Sequence, residues 1–227
     1  MRMMPMETDA LIRQLAAERG PVRPLPNPWL RMARWLALAL PYVVAAMFVV
    51  SFRDQLSWTL TDRRFVVEQV AALATGIAAA AAAFASAVPG YAKRWILLPV
   101  LPMIVWIASI GEGCLQSWNR FGPAAVALGS DWNCVSELIV IGAAPAIAMA
   151  MMLRRGAPLM PRVSMALGGL AAAGLANVGL RLVHRPDATI LVLVWHVGAV
   201  CALALVAGGL GGRVLNWRSV WAASLRA

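Results

Sequence analysis

Three cysteines, two histidines and a scatter of acids supply the chemistry this sequence can offer. Glu112-Gly113-Cys114 and Cys134-x-x-Glu137 set a soft thiolate beside a hard carboxylate, and His196 would add a third ligand type for a mixed metal site. The 19 residues between Cys114 and Cys134 also leave room for a disulfide if they face an oxidising compartment. A third reading has Glu112 and Arg181, or a similar pair, neutralise each other, with His196 hydrogen-bonding between helices and Asn177 and His184 nearby. Cys201 stands apart, deep in an apolar run, and is expected to be a buried packing residue. No G-x-S-x-G, H-E-x-x-H, Walker A or dinucleotide fingerprint is present, so neither an enzyme nor a cofactor is expected.

The elements that must position these residues are apolar. Of 227 residues, 61% are hydrophobic and 13% charged, against about 25% charged in an ordinary soluble domain. Uncharged runs recur at Trp35–Phe52, Gln69–Ala92, Trp95–Gly111, Leu138–Leu153, Val163–Leu180 and Ala188–Gly212. A helix needs about 20 apolar residues to cross a bilayer. The reading is all-α: a polytopic membrane protein with helices over 33–52, 66–88, 95–115, 134–153, 162–182 and 189–212. An arm (1–32) precedes this bundle (33–212) and a tail (213–227) follows it. The first apolar run starts too far into the chain for a cleavable signal, so that helix is expected to stay as an anchor.

Orientation follows from Lys and Arg in the connections. An inside N-terminus puts fourteen of the twenty cations on the cytoplasmic side and six outside. The acids Asp54, Asp62, Glu68, Glu112, Asp131, Glu137 and Asp187 lie at or near the outer face. Both termini are then cytoplasmic, and the net charge of +10 needs no nucleic acid to explain it, only topology and anionic lipid. Small residues at helical spacing, Gly76, Ala79, Ala80, Ala83 and Ala87, then Gly169, Ala173 and Ala176, then Gly208 and Gly212, are the expected helix contacts. Pro41, Pro99, Pro102 and Pro145 are expected to kink their spans.

The arm reads as a short helix over about 8–18, stopped by Gly20-Pro21, and an extended proline-rich linker over 21–28. Thr8 and Asp9 suit a helix start, and Leu11, Ile12 and Leu15 share a face. A helix of this length is marginal alone. Its mixed charge suits a protein groove better than a lipid surface.

Several segments are similar to those of NrsF-type anti-sigma factors. The stretches are Thr8–Ala16, Pro21–Leu25, Gly113-Cys114-Leu115, Arg154–Leu159, Leu182–Asp187 and Val194-Trp195-His196. The resemblance runs from Thr8 to about Trp217. It implies a regulator in the bacterial inner membrane whose arm, through Asp9, Leu11, Ile12, Leu15, Val22 and Leu25, holds an extracytoplasmic-function sigma factor. It also implies that the membrane part answers redox or metal stress through outer-side cysteines, here Cys114 and Cys134, beside which Glu112, His184 and His196 are the further sensing candidates read from the residues themselves. Arg185 follows His184 where some members have cysteine, so a two-cysteine mechanism would use Cys114 and Cys134. The rival reading is a small transporter or exporter of a metal or drug, which would need a polar path through the spans.

Overall fold

The computed structural model describes residues 8–17, 25–50, 62–122, 132–156, 158–183 and 190–215. They form seven α-helices in chain order: α1 (Thr8–Ala17), α2 (Pro28–Val50), α3 (Arg63–Ser86), α4 (Val100–Phe121), α5 (Trp132–Arg154), α6 (Pro161–Val183) and α7 (Ile190–Val214). A short 3-10 turn, Lys93–Leu97, leads into α4. Six of the helical segments are long and apolar enough to cross a membrane, and α1 is the arm.

Local chemistry explains where the helices begin and end. The linker does not run to 28, nor does the first span wait for 33. Asn27 caps α2, accepting from the Trp29 amide at 3.0 Å, and Pro28 occupies the first helical position, where its missing N–H costs nothing. Asp62 caps α3 through the Arg64 amide at 2.9 Å, which starts that helix at 63 instead of 66. α4 continues six residues past 115 and stops where Gly122 takes φ +57°, a left-handed conformation open to glycine. Pro99 precedes α4 and Pro102 sits in its first turn, so neither interrupts a helix; Pro41 and Pro145 lie inside α2 and α5.

The core lies between α3 and α6, the two most buried helices. They run antiparallel in one register, joined at three levels. Glu68 meets Arg181 at one end, Gly76 meets Gly174 midway, and Ser86 Oγ lies 2.8 Å from Ser164 Oγ at the other end. A Cβ on Gly174 would sit 3.1 Å from the Cα of Gly76, so the backbones touch where only glycine fits. Alanines 79, 80, 83 and 87 of the α3 segment are fully buried, as are Ala173 and Ala176 of α6. α2 packs on α5 by hydrogen bonds as well as apolar contact. Trp35 donates to the Pro145 carbonyl at 3.0 Å and the Tyr42 hydroxyl to that of Val140 at 2.8 Å. α7 packs on α6 through Gly208 against Ala166 and Gly211 against Pro161. Gly212, expected in that contact, is exposed, its nearest neighbour the Arg162 side chain at 4.0 Å. Gly208 is in the contact as expected, and its companion is Gly211, three residues on, in place of Gly212.

Candidate functional site

The antiparallel packing gives the bundle two chemically different ends. At the end that carries the arm, the described residues of the bundle hold Arg31, Arg34, Lys93, Arg94, Arg154, Arg155, Arg162 and Arg213, and no acid. All except Arg31 are exposed. The far end holds Asp62, Glu68, Glu112 and Glu137 with Arg63, Arg64, Arg120 and Arg181.

At the arm end, α1 presents Leu11, Ile12 and Leu15, which are 38%, 57% and 49% exposed. The apolar face of the arm therefore stays largely open among the described residues. Leu25, just before α2, is exposed as well. Asp9 lies in α1, where its side chain is not among those described, and Val22 lies outside the described residues. The root of the arm is held firmly. Arg31 is 4% exposed; its Nη2 donates to the Met152 carbonyl and its guanidinium lies 4.9 Å over the Phe84 ring. Its Nη1 is buried with no hydrogen-bond acceptor among the described residues. Trp29 packs edge-on against Trp95, with ring centroids 5.4 Å apart, and Tyr91 lies 6.4 Å from Trp95. Beside Trp95 a cavity of about 210 Å³ opens between the α3–α4 and α5–α6 connections.

At the far end the central feature is the ion pair of Glu68 and Arg181. Arg181 Nε donates to Oε1 at 2.7 Å and Nη2 to Oε2 at 3.0 Å, and both side chains are at most 5% exposed. The Phe65 ring lies 5.8 Å from the guanidinium. Arg181 thus takes Glu68, and not Glu112, as its partner. Glu112 is exposed and accepts from Gln116 Nε2 at 3.2 Å. Positions two apart on a helix point nearly opposite ways. Cys114 consequently faces inward, 6% exposed among Ala71, Ala72, Trp106, Ile110, Ala173 and Val200. The Glu112–Cys114 half of a metal site is not assembled, and among the described residues no three His, Cys, Asp or Glu side chains gather round a common point. Cys114 also does not close its span, since α4 runs on for two further turns.

Cys134 lies in the first turn of α5 and His196 in α7, with side chains outside the described set; His184 lies outside the described residues altogether. Cys201 is a correction. It is exposed on α7, because the face of that helix packed on α6 is the one carrying Val200, Gly208 and Gly211. Depth along a span says nothing about which way a residue faces. The residue that sequence reasoning undervalued is Glu68, an ionisable group inside an otherwise apolar segment, which is itself the available signal.

A family model described as NrsF, negative regulator of sigma F, matches residues 15–217. No curated protein and no solved structure matches the chain.

Proposed function

The chain belongs to the NrsF family of negative regulators of sigma F, and from that premise we propose that it is an inner-membrane anti-sigma factor. In this reading the arm is cytoplasmic and sequesters an extracytoplasmic-function sigma factor, and a stress signal at the outer side, redox or metal, releases it. The chain acts by binding and not by catalysis.

The observation that carries the reading is the uncovered face of Leu11, Ile12 and Leu15 on a ten-residue helix. Such a helix gains most of its stability from packing its apolar face, and here about half of that face is open. A partner that covers the face stabilises the helix as it binds, which suits helix-in-groove recognition. Release requires that the signal favour one bundle state and that the arm bind differently in it. The firmly packed root at Arg31 and Trp29 is where the arm would register such a change. The arm-side halves of the described spans carry no Asp, Glu or His, which favours a regulator over a transporter. Capture with the full chain in mild detergent, read by mass spectrometry, tests the proposal. A sigma factor should be retained by the wild type and lost when residues 1–20 are deleted; retention of none by the wild type would sink it.

A further inference from the structure

The cavity beside Trp95 has a composition and a position that the arm alone does not explain. Its wall includes Tyr91, Lys93, Trp95, Leu159 and Met160, and Ser86 lies at its edge beside Ser164. At about 210 Å³ it has room for a large apolar side chain. Only Ala85 and Ser86 of its lining belong to a long helix; the rest come from the two connections at the arm end. A groove built to hold an acyl chain would run along the sides of the spans, whereas this one is built from the segments that join them. Lys93 lines it, and the arm end to which it opens carries seven exposed cations and no acid among the described bundle residues. A partner that fits must therefore bring negative charge around an apolar projection. The arm starts at the same place, because Trp29 at its root packs on Trp95 of the cavity wall. A protein gripped by α1 is held over this opening by a linker of ten residues, from 18 to 27.

We propose that this cavity is a second contact for the sigma factor, receiving one apolar side chain from an acidic, amphipathic helix of that partner. The inference rests on the reading that the arm holds a sigma factor, and it adds a contact on the bundle itself. Two tethered contacts raise the overall affinity above that of either alone through the high local concentration each gives the other. A contact on the bundle also gives the spans a direct hold on the partner: a shift of the α3–α4 or α5–α6 connection opens or closes the cavity.

The test uses the full chain in nanodiscs and the sigma factor recovered in the capture experiment, purified. Leu159 is 77% exposed and Ala92 and Lys93 are exposed, so Leu159→Gln, Ala92→Trp (which fills the opening) and Lys93→Glu leave the core intact. Each should weaken binding roughly tenfold with the arm unaltered, as loss of an interface anchor or a complementary charge does. The loss should be the same in phosphatidylcholine discs and in discs with added phosphatidylglycerol. Wild-type affinity in all three variants would overturn the inference while leaving the arm reading in place. A loss that occurs only with phosphatidylglycerol would also overturn it, by assigning the cavity to an anionic lipid. A wild type that binds no sigma factor would overturn both this inference and the reading beneath it.

Discussion

Glu68 and Arg181 meet in a two-point ion pair across α3 and α6, at 2.7 and 3.0 Å, with neither side chain more than 5% exposed. Taking two such charges out of water costs several kcal/mol, recovered only while both partners are present. Breaking the pair leaves one buried charge alone. Arg181→Met should therefore destabilise the bundle by about 3–5 kcal/mol, and Glu68→Leu by a similar amount, whereas the double variant should lie near the wild type. Denaturant unfolding in detergent, analysed as a double-mutant cycle, measures this; additive single and double losses would mean the pair does not act as a unit.

Gly174 and Gly76 mark the closest approach of the same two helices. Because the atoms nearest a Cβ at 174 are backbone, Gly76 Cα at 3.1 Å and Gly76 N at 3.2 Å, no side chain can move aside. Gly174→Ala should cost about 1–3 kcal/mol as overpacking does. Gly198→Ala, with nothing within 4 Å, should be neutral or slightly stabilising in the same unfolding assay.

On the arm, Leu11→Ala with Leu15→Ala should free the sigma factor and raise expression of its regulon without stress. Loss of one such anchor costs ~2 kcal/mol, roughly thirtyfold in affinity. Arg13→Ala, on the polar side of the helix, should change expression far less. Immunoblots of membranes should show unchanged protein levels; full repression by the double variant would point away from α1.

The concentration of cations at the arm end predicts that reporters fused after Ala92 or at 157 read cytoplasmic and that one within 123–130 reads periplasmic. Opposite readings at both cytoplasmic positions would invert the topology.

The thiols should differ in reactivity. Cys201 faces outward on α7 and Cys114 is packed inside the bundle, so a small lipid-soluble maleimide should modify Cys201 ahead of Cys114. Peptide mass spectrometry reads the order. If Cys114 and Cys134 sense redox or metal, Ser at either position should alter induction while Cys201→Ser should not.

Much of this protein could be read along the chain. The six spans, the two polar ends and the apolar stripe of α1 follow from the length of uncharged runs, the sign of the flanking residues and helical spacing, all one-dimensional properties. The helix starts at Pro28 and Arg63 were also written there, in Asn27-Pro28 and in Asp62, which cap and begin a helix by local chemistry. Which face of each span is buried was not written. In a bilayer the lipid-facing side is as apolar as the packed side, so hydropathy does not separate them and close packing decides instead. That is why Cys201 turned outward, why Gly211 and not Gly212 touches α6, and why Cys114 and Glu112 parted to opposite faces. The partner of Arg181 lay 113 residues away, and only the antiparallel register of α3 and α6 brought Glu68 to it. The cavity at the arm end came from two connections far apart in sequence, joined by that same packing.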